Sequence, residues 1–263
     1  MISLSAKELK HINNLKKKSS YRKEHDLFIV EGIKMYREIP EKLLLKTYIS
    51  KSFEDSLDSK TKLKPGTYEV ISDRNFETIS DTKTPQGILA LVRRISYSLE
   101  DILKQNNKGL LILENVQDPG NLGTIVRVGE AAGLSGLIMS EETVDIYNPK
   151  VVRSTMGSIF RLPFMVAPDL SVTVKELRDN NVTVYASTLK NSTSYDRFDY
   201  TKDHAFIMGN ESKGVSDKLC NAADRSLHIP MQGDTESLNV SVAAAILLYE
   251  AARQKGLGGF GGR

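Results

Sequence analysis

Cysteine is almost missing from this chain: Cys220 is the only one in 263 residues. A single thiol excludes an internal disulfide and a cysteine-built metal centre, and leaves Cys220 as a small packing residue. No apolar run reaches membrane-spanning length, and the N-terminus is charged where a signal peptide would carry an apolar core. These absences point to a cytoplasmic protein without a metal site. They also empty Asn-x-Ser/Thr triplets such as those at Asn181, Asn191 and Asn239 of meaning as glycosylation acceptors. Net charge is small too, at +3.

What is present is 40% hydrophobic content, enough to bury the core of one large domain or two modest ones. The charge is unevenly spread. Residues 1–25 hold Lys7, Lys10, Lys16, Lys17, Lys18, Arg22 and Lys23 against Glu8 and Glu24. Such an arm fits phosphate contact, since each neutralised phosphate releases counterions, and it equally fits a solvated amphipathic helix. Charge alone does not identify a nucleic-acid binder.

Along the chain, strands are expected near residues 26–30, 47–50, 68–72 and 87–92, with helices at 32–39, 53–58 and 73–79. That alternation makes a small α/β module within residues 1–95. Residues 96–106 read as a linker, residues 107–255 as a second domain, and residues 256–263 as a glycine-rich flexible tail. The second domain alternates strands at 110–113, 137–139, 164–166, 182–186, 205–208 and 226–229 with helices at 121–133, 149–158, 172–180 and 237–254. The pattern is that of a mostly parallel sheet covered on both faces, whose loops at the carboxyl ends of strands carry ligands.

Three of those loops stand out. In residues 109–133 a buried strand runs through a polar turn into a helix, with Asn121 as the expected N-cap, Gly133 as the residue after the helix, and Arg127 alone among small and apolar neighbours. Residues 205–208 run into Gly209-Asn210-Glu211-Ser212-Lys213-Gly214, where a glycine lets a ligand approach the backbone. Residues 227–231 lead into Ser237-Leu238-Asn239-Val240-Ser241, where Ser237 and Asn239 are expected to cluster at the start of the last helix. Taken singly, Glu211 also reads as a surface turn residue, Ser237 as a simple cap and Asn239 as a first-turn polar residue.

Together and in this order, these residues resemble the SpoU/TrmH family of SPOUT-class RNA methyltransferases. The first motif is matched by Asp118-Pro119-Gly120-Asn121-Leu122-Gly123 with Arg127, and the second by Met208-Gly209-Asn210-Glu211 with Gly214. The third is matched by Ile229-Pro230-Met231 with Ser237-Leu238-Asn239-Val240-Ser241; Asn148-Pro149-Lys150-Val151-Val152-Arg153 and Met156-Gly157-Ser158 are also similar to the family. The resemblance spans residues 107–255. It implies a parallel α/β sheet with a C-terminal trefoil knot, an obligate homodimer, and transfer of a methyl group from S-adenosylmethionine to a ribose 2′-hydroxyl of RNA. Residues 24–93, chiefly through Phe28-Ile29-Val30-Glu31-Gly32, look like the family's N-terminal RNA-binding module, which implies large-subunit ribosomal RNA as the partner, with transfer RNA as the alternative.

By the same resemblance, S-adenosylmethionine is expected against Gly209, Ile229, Met231 and Leu238, with Thr188 and Leu189 closing the adenosine side. Arg127 is the implied activator of the hydroxyl. A guanidinium stays protonated and has no acceptor lone pair, so we read Arg127 as an electrostatic group beside a phosphate and the developing alkoxide. Asn121, Glu211, Ser237 and Asn239 are expected to orient it, with Glu211 as its ion partner. Two rival readings exist: an RNA-binding or ribosome-associated factor with an inactive transferase domain, and a nicotinamide-dependent oxidoreductase. The second rests on Gly256-Leu257-Gly258-Gly259-Phe260-Gly261, which fits G-x-G-x-x-G but follows a helix and ends the chain, where the motif needs a strand before it and a helix after.

Overall fold

The computed structural model describes residues 4–57, 63–65 and 68–256, so the glycine-rich stretch lies, from residue 257 on, outside the described residues. The chain divides into two compact units, one made of residues 1–95 with 145–160, the other of 96–144 with 161–263.

The first unit opens with α1 (Ala6–Lys17), whose Ser5 and Glu8 form a capping box, and α2 (Ser19–His25). There follow β1 (Leu27–Glu31), α3 (Ile33–Glu38), β2 (Leu44–Ser50), α4 (Lys51–Asp55), β3 (Tyr68–Ile71), α5 (Asp73–Ile79) and β4 (Ile88–Arg93). The sheet order is β1-β4-β2-β3, with β4 antiparallel to both neighbours and β2 parallel to β3. Ile12 and Leu15 of α1 join Ile29, Tyr48, Ile71, Phe76, Leu89 and Leu91 in one core. Each such buried aliphatic or aromatic side chain contributes about 1.5–3 kcal/mol.

Two of the arm's cations are used inside the fold. Arg22 is 3% exposed; its Nε and Nη2 donate to Asp145 Oδ2 at 2.8 and 2.5 Å, and its Nη1 donates to the Leu15 carbonyl at 2.7 Å. Lys16 donates to the Ser80 carbonyl at 2.7 Å. The five remaining lysines of the arm, Lys7, Lys10, Lys17, Lys18 and Lys23, are exposed and make no ion pair among the described residues.

The second unit begins with α6 (Leu99–Leu103), β5 (Gly109–Leu113), α7 (Pro119–Ala131) and β6 (Gly136–Ser140). Residues 145–160, carrying α8 (Pro149–Ser154), then belong to the first unit, where Tyr147 packs its ring 4.7 Å from that of Phe28. The chain continues with β7 (Phe164–Ala167), α9 (Leu170–Asp179), β8 (Thr183–Ser187), β9 (Thr193–Ser194), β10 (His204–Met208), α10 (Asp217–Ala222), β11 (Arg225–His228) and α11 (Val240–Gln254). Seven strands form one sheet in the order β7-β6-β5-β10-β8-β11-β9, every pairing parallel. Strands β5, β6 and β10 are apolar runs that read as buried and are buried.

Two helix starts that bear on the loops differ from the expectation. The N-cap of α7 is Asp118, not Asn121: Pro119 takes the first helical position and Asp118 Oδ1 accepts from the Asn121 N–H at 2.8 Å. The last helix starts at Val240 and not at Ser237. Asn239 is its N-cap, accepting from the N–H groups of Ser241 at 2.9 Å and Val242 at 3.4 Å. Gly133 follows α7 at φ +77°, as its place after the helix requires.

Candidate active site

In the parallel register Leu113 lies beside Met208, Ile207 beside Ala186, and Leu227 beside Ser187. The carboxyl ends of β5, β10, β8 and β11 therefore finish on one edge, and the loops after them meet there. From β5 comes the turn 114–118 into α7, from β10 the loop 209–214, from β8 Thr188 and Leu189, and from β11 the segment 229–239 into α11.

Glu211 is the node. Its Oε1 accepts from Asn121 Nδ2 at 3.0 Å and from the Asp118 N–H at 3.2 Å, and its Oε2 accepts from the Gln117 N–H at 3.3 Å. Burial works to raise the pKa of this carboxyl, but the Asn121 amide and the backbone N–H groups outweigh it and hold the pKa below its usual value. An ionised carboxylate only accepts, so Asn121 must turn its Nδ2 toward Glu211. Its Oδ1 then faces away and accepts from Asn239 Nδ2 at 2.9 Å. Asn239 in turn has only its Oδ1 left for the helix, and α11 supplies the donors. The anion at one end and the helix N-terminus at the other thus fix both amides in one orientation.

Of the five residues expected to be catalytic, three are joined in this chain: Glu211, Asn121 and Asn239. Ser237 lines the adjoining cavity, exposed, and makes no hydrogen bond among the described residues. Arg127 is not paired with Glu211, contrary to expectation. It lies six residues after Asn121, about 9 Å further along α7 and rotated by about 240°. The same helix buries Leu122, Ile125, Val126 and Gly129 and leaves Arg127 exposed, with no ion pair among the described residues.

Gly209 has a reason other than the one anticipated. A Cβ there would stand 2.0 Å from the Gly214 carbonyl carbon and 2.1 Å from the Val215 nitrogen. The loop folds straight back, with Asn210 and Gly214 exchanging backbone hydrogen bonds of 3.2 and 2.9 Å, so the close approach is between two stretches of the chain itself. Asn210 adds support that sequence reading missed: its Nδ2 donates to the Asn115 carbonyl at 2.8 Å and its Oδ1 accepts from the N–H of Ser212 at 3.0 Å.

Beside the node is a cavity of about 380 Å³, lined by Thr188, Leu189, Gly209, Ile229, Met231 and Leu238 along with Glu211 and Ser237. All six residues expected to hold the methyl donor are in its wall. The size suits a small organic cofactor. Among the described residues the backbone of 229–238 makes no backbone–backbone hydrogen bond, which leaves main-chain donors and acceptors for a ligand. Charged side chains in the wall are Lys190 and Lys213 against Glu211, Asp217 and Glu236, an acidic excess suited to a net cation such as S-adenosylmethionine. The residues present fit that group. Asp217, Glu236 and His228 were not singled out in the sequence, since none belongs to a local motif.

The family model described as "SpoU rRNA Methylase family" matches residues 108–249. The chain belongs to that family. It is accordingly an S-adenosylmethionine-dependent RNA ribose 2′-O-methyltransferase. A second model, "MRM3-like substrate binding domain", matches residues 6–90 of this SpoU methyltransferase. The 23S rRNA (guanosine(2553)-2′-O)-methyltransferase RlmP of Bacillus subtilis is 41% identical over 180 residues, 68% of this chain and 70% of that protein. The crystal structure of AdoMet-bound rRNA methyltransferase from Sinorhizobium meliloti is similar at a TM-score of 0.84 and 32% identity, covering 96% of this chain and 97% of the other. The SpoU methyltransferase AviRb from Streptomyces viridochromogenes, at a TM-score of 0.85 and 22% identity over 99% of this chain and 100% of its own, shares the fold. Among the described residues no helix is long and apolar enough to cross a membrane.

Proposed function

We propose that this SpoU methyltransferase modifies a ribose of 23S ribosomal RNA. The likeness to the Bacillus subtilis enzyme supports the substrate, and the substrate-binding match over residues 6–90 supports a dedicated RNA-holding unit. The observation that carries the reading is the Glu211–Asn121–Asn239 chain set against the cavity. Recognition targets an unstacked loop nucleotide, because a paired A-form helix is read mostly by shape.

S-adenosylmethionine supplies a methyl group already activated by its sulfonium charge. The protein's tasks are to hold the ribose, align its 2′-oxygen and manage the hydroxyl proton. In this reading Thr188, Leu189, Gly209, Ile229, Met231 and Leu238 hold the donor. Asn121, Glu211, Ser237 and Asn239 shape the ribose side. Arg127, a fixed cation with no partner of its own among the described residues, holds the adjacent phosphate and stabilises the developing alkoxide, while the proton leaves to water or phosphate.

A homodimer belongs to the same reading. Val242 and Tyr249 of α11 are 47% and 55% exposed and lie seven residues apart, on one face with the half-buried Ala245 and Ile246. That apolar stripe suits a second copy. The family's C-terminal trefoil knot is supported by the likeness to the solved SpoU structures, and a cytoplasmic location by the ribosomal substrate.

The deciding experiment incubates the protein and labelled S-adenosylmethionine with purified 23S ribosomal RNA and, separately, with total transfer RNA, then maps ribose methylation. We expect a single modified position in 23S RNA. Labelling of transfer RNA alone, or of neither, overturns the substrate.

A further inference from the structure

The outward side of the basic arm carries a stack of rings that the methyl-transfer site does not use. Tyr21 and His25, one turn apart on α2, have ring centroids 3.8 Å apart and planes at 24°. His11 of α1 completes the group, 5.6 Å from Tyr21 and 5.3 Å from His25, with its Nδ1 2.9 Å from the Tyr21 hydroxyl. His25 Nδ1 lies 3.1 Å from the Tyr21 carbonyl, which can only accept, so that nitrogen carries the proton and the ring is held in place. α1 and α2 are packed onto the unit by the buried Ile12, Leu15 and Arg22, and the half-buried Tyr21 also rests against that core, whereas His25 is exposed.

Around the rings the charge is positive. Lys7 is four residues before His11, on the ring side of α1, and the exposed Lys18 sits in the extended link between α1 and α2, three residues before Tyr21. Lys10, Lys17 and Lys23 add three more exposed cations without ion pairs among the described residues. Of the nearby acids, Glu8 is held by Lys46 at 3.0 Å, and Glu24 stands 4.0 Å from His25.

We propose that this surface binds a single-stranded segment of the RNA substrate, with a base stacking on the His25 ring and the lysines taking the flanking phosphates. Aromatic faces interleaved with cations are what unpaired RNA requires, since every base has a π-face and every linkage a charge. The proposal rests on the RNA-substrate reading above and names where an unpaired segment runs.

The chain contains no tryptophan, so His25→Trp installs a single indole reporter. Titration with an oligoadenylate of about ten nucleotides is expected to quench its emission, and less so at high salt. Tyr21→Ala with His25→Ala is expected to raise KM for the RNA at least about fivefold, leaving kcat and S-adenosylmethionine affinity unchanged. Tyr21→Phe, which keeps the ring and loses only the hydroxyl bonded to His11, should raise KM less than Tyr21→Ala does. If the double variant melts early, His25→Ala alone serves, because that side chain is exposed. No quenching together with an unmoved KM overturns the ring surface and leaves the 23S substrate standing. Quenching without methylation of 23S RNA keeps the ring surface and overturns the substrate.

Discussion

Asn121 and Glu211, ninety residues apart in sequence, are joined by a 3.0 Å hydrogen bond from Nδ2 to Oε1. The bond ties the helix after β5 to the loop after β10. Because the acceptor is an ionised carboxylate, it dictates which way the Asn121 amide points and, through it, the Asn239 amide.

Reversing the polarity at Asn121 tests that dependence. Asn121→Asp sets a second carboxylate against Glu211 and removes the Nδ2 donor, so like-charge repulsion breaks the chain at its Glu211 end, while Asn239 Nδ2 keeps an acceptor at position 121. We expect kcat to fall about 100-fold, with S-adenosylmethionine affinity by calorimetry near the parent value, because Asn121 is not in the cavity wall. An unchanged kcat would remove this chain from the mechanism.

Arg127 should behave differently from the donor-holding residues. Arg127→Ala is expected to abolish methylation with cofactor affinity intact, and Arg127→Lys to recover only a small part, since an ammonium cannot reproduce the two-pronged contact with phosphate. Single-turnover rates on saturating RNA separate this from weaker RNA binding. Normal turnover in Arg127→Ala would show the role assigned to it to be wrong.

Gly209 and Gly214 make a matched pair of tests. A Cβ at Gly209 meets backbone at 2.0 Å, and backbone cannot swing aside. Gly209→Ala should therefore destabilise the protein by more than about 4 kcal/mol or prevent folding. Gly214, at φ +68° but with open space around it, should cost only about 1–2 kcal/mol as alanine, from backbone strain alone. Urea denaturation of the two variants gives the comparison; equal losses would contradict the clash.

Much of this was legible in the residues. Leu110 to Leu113 read as a buried strand, and Gly133 marked the end of α7 through simple local rules. Asp118-Pro119 carried a cap signal as strong as that of Asn121, and the structure uses it. Ser237 and Asn239 are equally good caps in isolation; the choice fell to Asn239, whose amide also bonds Asn121, and no local pattern contains that information. The missing Arg127–Glu211 pair follows from helix phase, which the spacing of Asn121 and Arg127 already held. What no pattern shows is which core a buried segment joins. Ile146, Tyr147, Val151 and Val152 look like any apolar helix region, yet they pack with the first unit.

That excursion is secured by Arg22 and Asp145, the latter pair member brought in from 123 residues away. Asp145→Ala would leave a guanidinium buried with two carbonyl contacts and no counter-charge. A loss of about 3–5 kcal/mol is expected, and Arg22→Met added to Asp145→Ala should restore part of it. A fragment of residues 1–95 lacks both Asp145 and Tyr147 and should melt well below the intact protein. An intact melting temperature in Asp145→Ala would show the pair to be dispensable.

His204 gives the fold a defined response to acid. It is 2% exposed, and burial depresses its pKa from 6.5 to about 4, against the opposing pull of the Lys202 carbonyl 2.8 Å from its Nδ1. Between those two values the unfolded chain binds a proton that the native ring refuses, so stability rises with pH across that window and levels off above 6.5. On acidification from neutrality the loss approaches about 3 kcal/mol near the lower value. His11, also lowered by burial, acts in the same direction. His204→Asn keeps a donor for the carbonyl but cannot titrate; it should be less stable at neutral pH, from lost ring contacts with Tyr200 and Phe206, yet lose less between pH 6.5 and 4.5. Chemical denaturation at a series of pH values reads the slope. Parallel slopes for parent and variant would mean that His204 is not the group being titrated.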